Sequence, residues 1–152
     1  MINNFFPPTT KRVPFHTCDC DNVKIRQRTV FNLDDYADGN RFHISQRLTE
    51  LDFEWDTERV LETNAGAAVL ISSLIGYLKS RHCCYLMTGS IGFFLLQHAL
   101  KGWCPPVPII RKLGIRTEQE INNEKTVLKM LRGDFRTDST DAEQLLKIVE
   151  KH

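Results

Sequence analysis

The sequence predicts an all-α protein built on an antiparallel helical hairpin, and two observations support this. Two uncharged runs, residues 63–78 and 83–100, are separated by only four residues. Around them, apolar side chains recur at helical spacing, and no stretch shows the strict alternation of a half-buried strand. The expected architecture is therefore a hairpin with an amphipathic N-terminal helix extension and one or two C-terminal helices.

Composition alone describes an ordinary single domain. The chain has 152 residues, of which 41% are hydrophobic and 26% charged. This length is sufficient for one buried core. With 20 Lys+Arg against 19 Asp+Glu, the chain lacks the basic excess of most nucleic-acid binders, so no nucleic-acid partner is expected. The averages conceal how strongly the apolar residues are concentrated in the two runs.

Three segments are predicted along the chain. Residues 1–40 form a poorly ordered or partly helical N-terminal segment, in which no apolar stretch resembles a secretion signal. Residues 41–135 form the helical hairpin domain, with apolar helices at about 63–79 and 83–101. Residues 136–152 form a short C-terminal helix.

The amphipathic extension precedes the first apolar run. Ile44, Leu48, Leu51 and Trp55 follow one another at steps of four, three and four residues, which is the spacing of one helical face. Neither glycine nor proline separates this pattern from the apolar run. We therefore expect one long helix that is polar in its first half and apolar in its second.

Helix signals also follow the second run. The prolines between Trp103 and Pro108 should end the second apolar helix. Thr117 and Glu120 form a capping box that should start another helix, and Gly133 should end it. A second box at Thr140 predicts the last short helix.

Small residues recur on both apolar helices and suggest how the helices pack. With the turn at Ser80, three pairs should face one another: Gly76 with Cys84, Ser72 with Thr88, and Ala68 with Gly92. Small residues at this spacing allow two backbones to approach closely in lipid. The same register brings Glu62 close to Gln97 and His98, which predicts a polar layer at the open end of the hairpin.

The apolar runs allow two locations. A spanning helix needs about 20 apolar residues, so the second run qualifies narrowly and the first is marginal. The hairpin is accordingly expected in a membrane, with lipid as a partner. The alternative is a cytoplasmic bundle that buries the hairpin within an oligomer. Basic residues occur at the turn and at the exit alike, so they predict no orientation.

Cysteine chemistry offers weaker candidates. Without a secretion signal the five cysteines are expected to be reduced. Cys18 and Cys20 with His16 match zinc-site spacing poorly, so no metal site is predicted. Cys104 is the candidate reactive thiol, with His98 and Lys101 as possible activating neighbours, and a packed structural cysteine is the alternative. No nucleotide, hydrolase or di-iron motif occurs, so no catalytic residue and no cofactor is predicted.

Two segments carry a family resemblance. RLTELDFEWDTERVLETNA and the stretch from FFLLQHALKGWCPP to LRGDF, within residues 44–135, resemble a bacterial helical-hairpin family similar to the YgaP-like transmembrane domain. The most specific shared element is Gly102-x-Cys104-Pro105. The resemblance implies a hairpin of the bacterial inner membrane that self-associates. It implies no reaction, because no sulfurtransferase domain accompanies the hairpin here.

The leading functional hypothesis is a non-enzymatic membrane anchor or scaffold that forms a homo-oligomer. A soluble all-α interaction module is the first alternative. A thiol or persulfide relay through Cys104, linked to sulfur chemistry only by the resemblance, is the second.

Overall fold

The computed structural model describes residues 7–37 and 40–135, and the regular structure in this part of the chain is entirely helical. A 3-10 turn at Thr9–Lys11 precedes helices α1 (Arg12–Phe15), α2 (Asp19–Ala37), α3 (Arg41–Phe53), α4 (Thr57–Lys79), α5 (His82–Lys101), α6 (Val107–Lys112) and α7 (Glu118–Arg132). The predicted all-α class is confirmed. The helix predicted from Thr140 lies outside the described residues.

The prediction of one long helix from residue 42 through the first apolar run is wrong. Helix α3 ends at Phe53, and the backbone is extended at Glu54 and Asp56. Asp56 is the N-cap of α4, because its side chain accepts a hydrogen bond from the backbone N–H of Arg59 at 2.6 Å. Aspartate is among the best N-cap residues, so it starts a new helix where neither glycine nor proline marks a break.

The described residues divide into two units, each with its own core. The first unit contains the residues up to Ile25 together with Trp55–Glu118, and the second contains Arg26–Glu54 and the residues from Gln119 onward. The core of the first unit consists of Val13, Leu61, Cys104, Val107 and Ile110. Both apolar helices belong to this first unit, so the candidate site is built within it.

The second unit packs α3 against α7. Its core consists of Ile44, Leu48, Leu51, Ile121 and Leu128, so the predicted apolar faces of these helices do meet. Two ion pairs flank the core, from Arg47 Nε to Glu124 Oε1 at 3.0 Å and from Lys125 Nζ to Asp52 Oδ1 at 2.8 Å. Helices α3 and α7 are thus held together by ion pairs as well as by apolar contact.

Two predicted helix ends are confirmed. Helix α5 ends at Lys101 as predicted, but Gly102, and not the prolines, ends it. Gly102 adopts a left-handed conformation (φ 79°), and its N–H donates to the carbonyl of His98 at 2.7 Å. Helix α7 begins directly after Thr117 and ends before Gly133 (φ 87°). The proline cluster also begins α6, because proline suits the first turn of a helix. The sequence analysis did not predict this helix.

Candidate membrane-embedded helices and their polar cluster

Helices α4 and α5 expose most of their apolar side chains. Their large exposed residues are Leu70, Ile71, Leu74, Ile75, Tyr77, Leu78, Tyr85, Leu86, Met87, Phe93, Leu96 and Leu100. No charge interrupts this surface, since residues 63–78 and 83–100 are all uncharged. A contiguous apolar surface of this kind marks a membrane or protein contact in soluble and membrane proteins alike.

The dimensions of the two helices suit a bilayer. Helix α4, within the range Arg41–Lys79, and helix α5 each contain a stretch long and apolar enough to cross a membrane. Only 17% and 6% of the residues in these stretches are buried, so neither is a core helix of its own unit. At 1.5 Å per residue the uncharged runs measure about 24 and 27 Å, close to the roughly 30 Å hydrocarbon thickness.

Small residues lie where α4 and α5 approach most closely. Ser72 Oγ and Thr88 Oγ1 are hydrogen-bonded at 2.9 Å. One turn further along α4, a Cβ added to Gly76 would lie 3.1 Å from the Cβ of Cys84, which is tighter than ordinary van der Waals contact. The order of these contacts is antiparallel, which is consistent with the predicted hairpin.

Gly92 does not follow this pattern, and its predicted close approach to Ala68 is not found. A Cβ added to Gly92 would meet no heavy atom within 4 Å among the described residues, and the same holds for Gly89. The prediction paired residues in steps of four along each helix. Four residues exceed one 3.6-residue turn by about 40°, so each further step from the turn rotates the side chain away from the face that the two helices share. Gly89 and Gly92 therefore present an open surface.

A charged cluster lies at the opposite end of α4 and α5 from the turn. The Glu58 carboxylate accepts a hydrogen bond from Arg12 Nη2 at 2.9 Å and one from His98 Nε2 at 2.7 Å. Arg12 Nη1 also donates to the carbonyl of Ala99 at 2.9 Å. A carboxylate only accepts, so Nε2 of His98 carries a proton. Helix starts and ends leave backbone groups unpaired, and Arg12 satisfies one of them in the last turn of α5.

His98 is therefore a polar-layer residue, but its acidic partner is Glu58 rather than the predicted Glu62. Glu58 lies fourteen residues from Ser72, which is close to four turns, so both occupy nearly the same helical face. Glu62 lies ten residues away and is rotated by about 80° from that face. Glu62 is exposed, and Gln97 is half-buried.

The sequence analysis missed two members of the cluster, Glu58 and Arg12. Arg12 belongs to a segment expected to be poorly ordered, yet it directly precedes Val13, which is buried in the first unit's core. Glu58 lies in the first turn of α4, and this position can be recognised only when Asp56 is identified as the N-cap. Nδ1 of His98 is buried and has no hydrogen-bond partner in the part of the chain that the structure describes.

Cys104 is a packed cysteine in this structure. Its side chain is 4% exposed and packs in the core of the first unit. Burial raises the pKa of the Cys104 thiol. That direction opposes the thiolate which a nucleophile needs, and neither His98 nor Lys101 contributes to the shift. The structure thus favours the packed-cysteine alternative over the reactive-thiol candidate.

Cys104 also lines an apolar groove of about 500 Å³ beside α4 and α5. The groove is bounded by Leu61, Asn64, Ala65, Ala68, Ile91, Phe94, Leu95, Cys104, Pro105, Pro106 and Ile110. Ala68 therefore lies at a groove and not at a tight helix contact. The groove continues the apolar surface of the two helices.

Cys18 and Cys20 lie together at the start of α2. Both thiols are exposed, and their Sγ atoms are 2.7 Å apart. With Asp21 they form a group whose potential ligand atoms all lie within 4.8 Å of one another. The third potential ligand is Asp21, whereas the sequence analysis considered His16.

The comparison with known families identifies the central segment. Residues 56–120 match the family model of the inner membrane protein YgaP-like transmembrane domain. The YgaP-like segment runs from the N-cap of α4 into α7, so it includes both apolar helices, Glu58, His98 and Gly102-x-Cys104-Pro105. The suspected family is thus confirmed, over a shorter range than residues 44–135. No curated protein and no solved structure matches the chain.

This match and the two exposed apolar helices agree on membrane localisation. The YgaP-like segment contains the uncharged core of both stretches and also the charged residues that flank them. The protein is a membrane protein.

Proposed function

We propose that the protein is a scaffold of the bacterial inner membrane, in which α4 and α5 insert as a hairpin and self-associate. The observation that carries the proposal is the uncharged, exposed surface of α4 and α5 within the YgaP-like segment. Aromatic and basic side chains flank it at the turn, where Tyr77 and Tyr85 lie close to Lys79 and Arg81 in sequence. Such residues anchor a helix at the membrane–water interface.

Self-association is supported by the open surface at Gly89 and Gly92. These residues are three apart, so they share one face of α5. Both are exposed, and a Cβ at either position would meet nothing within 4 Å. In lipid, apolar side chains gain little by leaving the lipid, so helices associate through close backbone approach at small residues. A second copy of α5 is the occupant that this surface suits.

Replacing Gly92 with leucine tests the self-association. The larger side chain should separate the backbones and weaken dimerisation at least about tenfold, which corresponds to about 1.4 kcal/mol. Sedimentation equilibrium of the full-length protein in detergent micelles measures the dissociation constant.

Ser90→Leu is the matched control, because Ser90 is exposed on α5 between the two glycines and points away from their face. Equal dimerisation of the wild-type and G92L proteins, or equal weakening by S90L, would contradict the proposed surface. Ser72→Leu should behave differently: its side chain is buried against Thr88, so overpacking should lower the unfolding free energy by about 1–3 kcal/mol.

A further inference from the structure

We propose that Cys18 and Cys20 are a redox-active dithiol pair that exchanges with low-molecular-weight disulfides and closes to an intramolecular disulfide. The pair lies at the start of α2, before the YgaP-like segment, and neither membrane insertion nor self-association requires it. The inference therefore does not depend on the proposed scaffold function.

The geometry brings both sulfur atoms within reach of a bond. Their separation is 2.7 Å, and a disulfide bond measures about 2.05 Å, so closure needs an approach of under about 1 Å. Both thiols are exposed to solvent, whereas Cys84 and Cys104 are buried. The two sulfur atoms are thus near enough to form a disulfide bond and exposed enough to react with a small oxidant.

A buried arginine fixes the turn that presents the two thiols. Arg111 is 1% exposed, and its guanidinium donates to Thr17 Oγ1 at 3.3 Å and to Asn22 Oδ1 at 2.9 Å. These two residues flank the cysteines on either side. Asn22 Nδ2 in turn donates to the carbonyl of Pro14 at 3.0 Å. Because the turn is held at both ends, closing the disulfide costs less conformational entropy than in a free chain.

The contact between the thiols also assigns them different roles. The Cys20 thiol donates a hydrogen bond that lowers the pKa of Cys18, and the same hydrogen bond raises the pKa of Cys20. The Asp21 carboxylate opposes ionisation of both thiols to a smaller extent. Cys18 therefore provides the attacking thiolate and Cys20 the resolving thiol.

Closure proceeds in two exchanges. The Cys18 thiolate attacks one sulfur of an external disulfide R–S–S–R, forming a mixed disulfide and releasing one thiolate R–S⁻. Cys20 then loses its proton to solvent and attacks Cys18 Sγ, which releases the second R–S⁻. In total, two protein thiols and R–S–S–R give a protein disulfide and two R–SH, so the protein loses the two electrons that the external disulfide gains.

A bound metal ion explains the same group less well. Two thiolates on a tetrahedral ion, each at about 2.3 Å, lie about 3.8 Å apart. The observed 2.7 Å is nearer to the length of a disulfide bond. Asp21 would supply only a third ligand among the described residues, and structural zinc sites use four.

The test equilibrates the full-length protein, in detergent micelles, with oxidised and reduced glutathione and then alkylates the remaining thiols. Trypsin releases residues 13–24 as one peptide containing Cys18 and Cys20, and residues 82–101 as a control peptide containing the adjacent Cys83 and Cys84. Mass spectrometry should find the first peptide unalkylated and lighter by two hydrogens, while the control peptide remains alkylated.

Single variants check the two roles. Cys20→Ser should accumulate a mixed disulfide of glutathione on Cys18, and Cys18→Ser should form one on Cys20 at least about tenfold more slowly. The proposal is overturned if residues 13–24 stay fully alkylated under oxidising glutathione, if the two single variants react equally fast, or if Cys18 instead cross-links two chains.

Discussion

Gly102→Ala is expected to destabilise the first unit by at least about 3 kcal/mol. Two causes add. The left-handed backbone (φ 79°) disfavours any residue with a Cβ, and an added Cβ would overlap the backbone of Arg12. Since Arg12 carries the ion pair to Glu58, displacing it also disturbs the polar cluster.

This loss can be measured by SDS titration of the full-length protein in mild detergent, followed by far-ultraviolet circular dichroism. Gly66→Ala is the matched control, because a Cβ there meets nothing within 4 Å and the backbone is helical. Alanine in a helix interior should stabilise this variant by up to about 1 kcal/mol. Comparable stability of the two variants would mean that the chain does not approach Gly102 closely.

Glu58→Ala is expected to cost about 3 kcal/mol, because it removes two charge-assisted hydrogen bonds at once. His98 is 4% exposed and would lose its Nε2 acceptor in a buried position. Arg12 would keep only its bond to the Ala99 carbonyl among the contacts described for its guanidinium. The same SDS titration measures the change in unfolding free energy.

Glu62→Ala is the control for this prediction, since Glu62 lies one turn further along α4 and is exposed. Its removal should change the unfolding free energy by less than about 0.5 kcal/mol. Glu58→Gln should fall between the two, because the amide oxygen retains one acceptor without the charge. A larger loss in Glu62→Ala than in Glu58→Ala would restore the cluster predicted from the sequence.

The sequence was sufficient for the fold class because its helix signals are local. The capping box at Thr117, the prolines after α5, the glycine after α7 and the apolar spacing of Ile44, Leu48 and Leu51 all act within one or two turns. The break between α3 and α4 was not predicted, because in an acidic segment an aspartate N-cap cannot be distinguished by sequence from the other acidic residues. It becomes recognisable only from its backbone conformation.

The candidate site was harder to predict because it depends on contacts distant in sequence. The pairs near the turn, Gly76 with Cys84 and Ser72 with Thr88, involve few helical turns and lie together in the structure. Farther from the turn, the mismatch between four residues and one turn accumulates. As a result, Glu58 and not Glu62 contacts His98, and Gly92 does not contact α4. Arg12 was unpredictable, since nothing local indicates that the N-terminal segment packs at that end.

Membrane insertion of the α4–α5 pair is the central claim, and alkaline carbonate extraction of bacterial membranes containing the full-length protein tests it most directly. The exposed, uncharged surface of both helices should keep the protein in the membrane pellet at high pH, where peripheral proteins are released. Release into the supernatant as a defined oligomer would contradict insertion and identify a soluble module that buries this surface between its own copies.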